Sequence, residues 1–525
     1  MNATARSTEW IADAAPASKS VLLLLILFSS TLWDIAFHTL WQFIRLERPR
    51  GSVCRTLTMG LVWLSLSTSA FGASDCPLIE AVRNGNVERV RALLAAQADP
   101  NTPDLDGTTA LHWAAHRDDV VTAELLLRAG ARPDAGNRYG ATAVLVAATS
   151  GNAAMLELLL DAGADPNVGL PEGETPLMRT ARAGLVDAVQ ALLAHGADVD
   201  AREGWRGQTA LMWATLEGNT VAAQALIDAG ADVHARSDGG FTPLLFAVRH
   251  NRQDTIRALV TIGADVNDTL PSGMSALAVA TLNAHYDLGV WLLEQGANPN
   301  ADDQGWTALH QLVWARRPNL GFNNPGPIPT GLVSDLEFVE ALVEHGADID
   351  ARETKEPRGA DGSGTPGGYR NILNRVGATP FLLASKAVDI DLMRLLVRLG
   401  ADPLLPNEDG TTALMVAAGV GIWAVGESPG TNAEALDAVE LMLELGDVVT
   451  AVDANGDTAL HGAVIRGSEP LVRFLVEQGA DLEAVNEKDW TPLTMAEGVF
   501  YSNTGKRWPE IETLLLELGA RRRSP

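Results

Sequence analysis

The sequence predicts an all-α solenoid of about twelve stacked helix-turn-helix units, interrupted by several loop insertions. One pattern, "GTTALHWAAHRDDVVTAELLLRAGARPDAGNRY" at residues 107–139, recurs along most of the chain, usually every 33 residues. Its first half is a short helix of small residues, and its second half has the apolar spacing of an amphipathic helix. Because no such unit can bury its apolar faces alone, the units must stack on one another.

Composition and charge exclude several classes of function. The formal net charge of −27 repels phosphate backbones, so we expect no nucleic-acid partner. The same charge resists anionic membrane surfaces, which leaves the N-terminal segment as the only predicted membrane contact. Two cysteines, Cys54 and Cys76, are too few for a disulfide framework or a cysteine-ligated zinc site.

Two apolar segments precede the repeats. Residues 21–44 are long enough to span a bilayer, although Asp34 and His38 are costly inside one. Residues 53–73 begin beside a basic run and end in small residues, which is the layout of a secretory signal peptide. Either residues 1–52 are a mispredicted extension and the signal-like segment is cleaved, or residues 21–44 are a retained membrane helix.

Both interpretations place the basic run on the cytoplasmic side of a membrane. They therefore predict that residues 74–525 lie outside the cytoplasm, in a periplasmic, secreted or membrane-anchored protein. We favour export with signal cleavage.

The repeated unit has a physical reason for each of its parts. A helix of small residues such as Ala114 and Ala115 can pack closely on its neighbours, and the second helix buries an apolar face. A glycine such as Gly130 then ends the second helix in the left-handed conformation. Asp and Asn residues that follow shape a turn towards the next unit. Every unit starts at a Thr-equivalent position, namely Cys76, Thr109, Thr142, Thr175, Thr209, Thr242, Ser275, Thr307, Thr379, Thr412, Thr458 and Thr491.

Across residues 74–525 the repeated unit resembles the ankyrin repeat family. It has the same order of parts: T-P/A-L, a small-residue helix, a V-x-x-L-L helix and G-A-D. The resemblance implies an ankyrin-repeat solenoid with β-turn fingers, a protein partner, no catalysis and no cofactor. Together with the N-terminal segments, the chain looks like an exported, bacterial ankyrin-repeat protein, and we expect a monomer.

Two histidines four residues apart, His112 and His116, have the spacing with which a helix can hold zinc. However, His112 lies in the T-P-L-H motif, which recurs at His310 and His461. The resemblance implies that this ring bonds to neighbouring backbone. Since His116 falls at a variable position and no third ligand is evident, we predict no metal site.

Four insertions interrupt the regular spacing, at residues 316–331, 352–375, 419–432 and 497–510. Insertions in a solenoid extend loops on one face, often the binding face. The competing interpretation is that they are tolerated surface loops. The third insertion contains Trp423, which we include among the candidate binding residues.

The position directly after T-P-L-H faces the concave groove in this family, and here we call its residues the ladder. The ladder is mostly apolar: Glu80, Trp113, Val146, Arg179, Trp213, Phe246, Val279, Gln311, Leu383, Val416, Gly462 and Met495. Exposed apolar clusters mark interaction sites, and Trp and Arg dominate interface energetics. The predicted partner-binding residues of the ladder, the turn tips and the third insertion are Trp113, Trp213, Phe246, Arg249, Phe241, Trp306 and Trp423. Alternatively, the insertions fold back and cover the ladder, which would make it core.

The predicted function is a non-catalytic, exported protein-protein interaction module that binds an unidentified partner through the concave groove and turn tips. Two alternatives share the same repeats: a membrane-tethered envelope scaffold, and an effector delivered into another cell. An enzyme is disfavoured because the sequence has no G-x-S-x-G motif, no P-loop and no metal-ligand cluster.

Overall fold

The computed structural model describes residues 76–317, 326–355, 373–422, 430–498 and 507–522. These ranges contain twenty-four helices in twelve consecutive pairs and no β-strand, although an isolated bridge joins Thr269 and Ser275. The predicted all-α solenoid of about twelve units is therefore confirmed. The helices are α1 (Pro77–Arg83), α2 (Val87–Ala95), α3 (Ala110–His116), α4 (Val120–Arg128), α5 (Ala143–Ser150), α6 (Ala153–Asp161), α7 (Pro176–Ala183), α8 (Val186–Ala194), α9 (Ala210–Glu217), α10 (Thr220–Asp228), α11 (Pro243–Arg249), α12 (Gln253–Thr261), α13 (Ala276–Leu282), α14 (Tyr286–Glu294), α15 (Ala308–Arg316), α16 (Asp335–Glu344), α17 (Pro380–Lys386), α18 (Ile390–Leu399), α19 (Ala413–Ala418), α20 (Asn432–Glu444), α21 (Ala459–Arg466), α22 (Glu469–Glu477), α23 (Pro492–Ala496) and α24 (Pro509–Glu517).

The N-terminal segments predicted from the sequence, residues 21–44 and 53–73, lie outside the described residues. Among the residues that the structure does describe, no helix is long and apolar enough to cross a membrane.

The Thr-equivalent residue begins the first helix of a unit by capping it. The Thr142 Oγ1 accepts a hydrogen bond from the Leu145 backbone N–H at 3.3 Å, and Thr175 caps α7 in the same way. Proline follows at the first helical position in α7 and α11, where its missing N–H costs nothing. These local signals fix where each unit starts, because a cap satisfies an N–H that the helix itself leaves unpaired.

The second helix ends at the G-A-D sequence, which also joins the unit to its neighbour. Gly130 has a φ of 91°, a backbone conformation that suits glycine and reverses the chain. In the preceding unit, the Asn101 side chain donates to the Gly130 carbonyl at 2.9 Å and accepts from the Arg132 N–H at 2.8 Å. Asn167 makes the same pair of bonds to the next unit. The Asp/Asn positions of the repeat therefore tie successive turns together.

The two helices of each unit pack on each other, and between units first helices pack on first helices and second helices on second helices. The buried side chains form two apolar clusters, one from Cys76 to Phe246 and the other from Leu244 to Ala520. The fingers between units are joined through their backbones as well, for example by the Arg138 N–H donating to the Asp106 carbonyl at 2.7 Å. Each unit is thus held by its neighbours on both sides, as expected of a solenoid.

A buried group of charges holds the chain where the first insertion leaves and re-enters the array. Arg316, at the end of α15, pairs with Asp335 at 2.5 Å and with Asp389 at 2.8 Å. Asp389 also caps α18, accepting from the Leu392 N–H at 3.2 Å. Arg317 pairs with Glu434 at 2.9 Å, across two units. These pairs join helices that the 33-residue spacing alone does not bring together.

Candidate protein-binding surface

The ladder side chains become more buried from the N-terminal to the C-terminal units. Glu80 is exposed, and Trp113, Val146 and Arg179 are half-buried. From the fifth unit onward every ladder residue is buried, beginning with Trp213. The ladder is thus part of the surface only in the first four units.

Two predicted binding residues, Trp213 and Phe246, are core residues instead. Each is only 8% exposed and packs into the N-terminal apolar cluster. The Arg182 guanidinium lies over the Trp213 ring, 5.4 Å from its centroid. Phe246 stacks on Phe241, with ring centroids 5.0 Å apart. The prediction that these rings are free to contact a partner is therefore wrong, because neighbouring side chains already cover them.

Trp306 is also turned towards the protein. Its indole N–H donates to the Gln311 Oε1 at 3.1 Å, and its ring lies 5.7 Å from the Trp314 ring. Trp314 is in turn covered by the Arg375 guanidinium at 3.6 Å, and Arg375 forms a buried ion pair with Glu353. Trp306 therefore helps close the base of the second insertion, which is a structural role rather than the predicted contact with a partner.

The start of the third insertion packs against the ladder in the eleventh unit. Gly462 is a ladder residue in the middle of α21, and a Cβ there would meet the Val420 backbone N at 2.6 Å. A Cβ at Gly421 would meet the Leu373 side chain at 2.6 Å, at the end of the second insertion. The alternative interpretation, in which the insertions fold back over the ladder, otherwise stays a prediction, because residues 423–429, with Trp423, lie outside the described residues.

The end of the first insertion contacts the turns of two earlier units. Thr330 accepts from the Asn251 side chain at 3.1 Å, lies 2.9 Å from the His285 Nδ1, and donates its backbone N–H to the Ala284 carbonyl at 3.1 Å. Asn251 and Ala284 lie in the turns between the paired helices of the sixth and seventh units. This insertion therefore braces those turns.

Arginines lie on the first helices of units one, four and six and in the turn after the first helix of unit two, and we call this set the arginine strip. Arg83, Arg182 and Arg249 lie one turn after a ladder residue and are exposed. Arg83 stacks over the Trp113 ring at 4.7 Å, and Arg249 lies 5.7 Å from the Phe241 ring. Stacking on aromatic rings holds these guanidinium groups in place, which lowers the entropy cost of using them in binding. The strip consists of Arg83, Arg117, Arg179, Arg182 and Arg249.

Acidic residues neutralise only part of this strip. Glu174 pairs with Arg179 at 2.9 Å, and Glu217 with Arg182 at 3.4 Å. Within the described ranges, Arg83, Arg117 and Arg249 have no carboxylate within the 4.0 Å of an ion pair.

Two indole N–H groups beside the strip are also unpaired. The Trp113 and Trp213 Nε1 atoms are buried and have no hydrogen-bond acceptor among the residues that the structure describes. A buried donor without an acceptor costs about 1–3 kcal/mol of stability.

The fingers present large apolar side chains that the sequence analysis did not select. Leu105, Tyr139 and Trp205 are 88%, 64% and 67% exposed, at the tips of fingers in the second, third and fifth units. The finger of Trp205 is rigid, because the buried Glu203 carboxylate accepts from three backbone N–H groups of the same turn, including that of Arg206 at 3.1 Å. Aligning the repeats at the positions three and four before each Thr-equivalent residue would have found these side chains.

The T-P-L-H histidines have the structural role that the resemblance implies. The His112 Nδ1 accepts from the Thr109 N–H at 3.1 Å, while its Nε2 donates to the Ala141 carbonyl of the next unit at 2.9 Å. Burial lowers the pKa of His112, and it lowers the pKa of His310 to about 3. Both ring nitrogens of His112 are thus engaged, and His116 stands edge-on to the Trp113 ring at 5.7 Å. Nowhere in the described ranges do three or more His, Cys, Asp or Glu side chains cluster as metal ligands.

A family model described as "Ankyrin repeats (3 copies)" matches residues 78–170, 177–270, 244–353 and 430–500, which is more than half of the chain. The chain belongs to the ankyrin repeat family. The resemblance to this family seen in the sequence is therefore confirmed, and its members are generally non-catalytic interaction modules.

Known ankyrin proteins are similar to this chain over limited lengths. The mouse B-cell lymphoma 3 protein homolog is 34% identical over 119 residues, covering 22% of this chain and 24% of that protein. Human protein phosphatase 1 regulatory subunit 27 is 39% identical over 74 residues, covering 14% of this chain and 44% of that protein. The chain spans less than half the length of the curated relatives it matches.

One solved structure is the ankyrin repeat domain of human ASB11. It is 27% identical, covers 42% of this chain and 99% of that chain, and superposes with a TM-score of 0.39.

Proposed function

We propose that this ankyrin array is a non-catalytic module that binds a partner protein with the finger tips and the first-helix face of its first six units. The observation that carries the proposal is the exposure of Leu105, Tyr139 and Trp205 on fingers joined by backbone hydrogen bonds. Exposed aromatic side chains on a rigid support bind at low entropy cost, and Trp and Tyr are enriched among residues that dominate binding energy. The arginine strip adds charged contacts on the adjacent helices.

The comparisons support this class of function. The family is generally one of interaction modules, and one relative is named as a regulatory subunit of a protein phosphatase. Within the described part of the chain, the ladder residues are buried from the fifth unit onward, which favours a binding surface in the N-terminal half.

The test is affinity capture with two matched surface variants of the full chain. The tip variant carries Leu105→Ser, Tyr139→Ser and Trp205→Ser. The control carries Val121→Ser, Val221→Ser and Leu516→Ser, three exposed apolar residues on second helices. A partner that binds the wild type and the control but not the tip variant supports the proposal. A partner retained equally by all three proteins contradicts it.

We also propose that the array is exported, with cleavage near the end of residues 53–73. The support is the sequence order of a basic run, a short apolar core and small residues. The relatives named above are mammalian, so they lend no support to a bacterial source. The intact mass of the chain isolated from its own cells tests the idea. A chain that begins near residue 71–75 supports cleavage, and a full-length chain favours the membrane-tethered scaffold.

A further inference from the structure

We propose that the partner contributes an acidic segment, whose carboxylates pair with Arg83, Arg117 and Arg249 on the arginine strip. This inference rests on the proposed function, since it names the chemistry of the partner at the same surface. It is carried by the sign of the charge on the strip and by the way the arginines are held.

The charge on the strip is opposite to that of the chain. The first helices of units one to six carry four arginines and two glutamates, Glu80 and Glu217. Arg117 follows α3 in a turn that also holds Asp118 and Asp119, and Glu174 lies on an adjacent finger. The whole chain has a formal net charge of −27. At physiological ionic strength the Debye length is about 8 Å, so the charges nearest to a bound segment decide its electrostatic energy. An acidic segment is therefore the complementary ligand for this face.

The unpaired arginines are positioned before any partner binds. Arg83 lies over the Trp113 ring at 4.7 Å, and Arg249 lies 5.7 Å from the Phe241 ring. Arg117 donates its Nη1 hydrogen to the Arg83 carbonyl at 3.0 Å, which fixes it beside the first unit. A stacked guanidinium keeps N–H groups free at its edge, and these match a carboxylate in a bidentate pair.

The donors within reach on this face favour the same ligand. The buried Nε1 atoms of Trp113 and Trp213 each lie in a ring with an arginine over it, so only the guanidinium groups are within reach of a ligand. Carboxylates are acceptors only and guanidinium groups are donors only, so a carboxylate matches the exposed arginines. A basic or amide-rich segment would bring additional donors to a face that already has donors in excess.

The units place the arginines at a length that suits a peptide rather than a single side chain. Packed helices lie about 8–10 Å apart, so the strip from the first to the sixth unit extends roughly 40–50 Å. An extended chain covers about 3.3 Å per residue, so a segment of roughly 12–15 residues would span it. One carboxylate every few residues is sufficient to reach all three unpaired arginines.

The experiment selects peptides without assuming a partner. A phage-displayed library of random 15-residue peptides is selected on the full 525-residue chain, purified in mild detergent. Binding of each selected peptide is then measured on the variant Arg83→Gln, Arg117→Gln, Arg249→Gln. The matched control is Arg91→Gln, Arg257→Gln, Arg473→Gln, which removes the same charge from exposed second-helix positions and includes Arg257, stacked over Trp291 at 4.9 Å.

We expect the selected peptides to be enriched in Asp and Glu, and to bind the strip variant at least about tenfold more weakly, given the strength of charge-assisted hydrogen bonds. The control should bind within about twofold of wild type, and affinity should fall as salt is raised. Replacing a critical peptide Glu by Lys should weaken binding to wild type and restore it on Arg83→Glu. Thermal unfolding of both triple variants should match wild type, because all six side chains are exposed.

The outcomes separate this inference from the proposed function. Peptides that are apolar or basic, but still need Leu105, Tyr139 and Trp205, overturn the acidic segment and leave the proposed function intact. Acidic peptides that bind the strip variant and the control equally also overturn the inference. If no selected peptide responds to either the strip or the finger tips, both the inference and the proposed function fail.

Discussion

The same repeat position has different consequences in different units. Trp113 and Trp213 occupy equivalent ladder positions, and each has an arginine from the preceding unit over its ring. Nevertheless, Trp113 is half-buried, whereas Trp213 is 8% exposed and has Phe246 of the next unit among its buried neighbours in the cluster. Trp213 therefore contributes to folding, while Trp113 remains available at the edge of the binding surface.

This difference predicts the effect of removing each ring. Trp213→Ala should lower the free energy of unfolding by about 3 kcal/mol or more, since truncating a buried Trp leaves a cavity. Trp113→Ala should cost clearly less, because part of the ring is already in contact with water. Urea unfolding of the two variants, followed by circular dichroism, measures both. Equal losses would show that the two rings are equally part of the core.

The buried histidines predict how stability depends on pH. His310 bonds through its Nε2 to the Ala378 carbonyl, and its pKa is lowered to about 3 by burial, from an ordinary value of 6.5. The unfolded chain therefore binds a proton that the folded chain does not. The contribution to stability is complete above pH 6.5 and is lost as the pH falls towards 3, by roughly 1.4 kcal/mol per pH unit.

Replacing His310 by Asn tests this expectation. The variant should be less stable than wild type at pH 7 but should lose less stability between pH 7 and pH 5.5, as measured by urea unfolding. The matched control is His234→Asn at an exposed position. Its free energy of unfolding should change with pH as in the wild type. If the free energy of unfolding changes with pH by the same amount in all three proteins, His310 makes no contribution to the pH dependence.

At the scale of the helices, residues close in sequence made the fold predictable. They predicted only in part which side chains lie on the surface. Caps such as Thr142, the helix-ending Gly130 and the inter-unit Asn101 are all decided by residues close in sequence, and they recur along the array. Burial of the ladder depends on distant backbone, such as Val420 lying on Gly462. A glycine at a ladder position was the one signal of that close approach, since a side chain would not fit.

At the finger tips the sequence analysis missed exposed residues. Trp205 and Tyr139 were visible in the sequence, but the segment before the Thr-equivalent residue varies in length between units. Phe241 and Trp306 lie directly before that residue, and the structure places them half-buried at the base of the finger. A difference of two or three residues thus decides whether an aromatic side chain reaches solvent.

The charges at the first insertion predict which ion pair matters for stability. Asp389 is almost fully buried between Arg316 and the start of α18. Asp389→Ala should cost about 3–5 kcal/mol, because it leaves a buried guanidinium with one carboxylate fewer and removes a helix cap. The exposed pair of Arg398 and Glu340 serves as control, and Glu340→Ala should cost less than about 1 kcal/mol. Similar losses in urea unfolding would contradict the structural role of Asp389.

At the scale of the whole array, the two halves are held together differently. In the N-terminal units the side-chain bonds join adjacent units, as from Arg117 to the Arg83 carbonyl. In the C-terminal half they also join units two apart. Examples are Asn251 with Thr330 at 3.1 Å and Arg317 with Glu434 at 2.9 Å, residues 79 and 117 positions apart in the chain.

This asymmetry predicts that the N-terminal units open first. The stability of a repeat array is approximately a sum of unit and nearest-neighbour contributions, and contacts that skip a unit add cooperativity only where they occur. Hydrogen exchange in mild urea should therefore be faster in peptides from residues 76–200 than in peptides from residues 380–480. Arg317→Gln removes the long-range pair with Glu434 and should narrow the difference. Uniform exchange along the array, in wild type and variant alike, would show that the insertions brace nothing and that all twelve units unfold together.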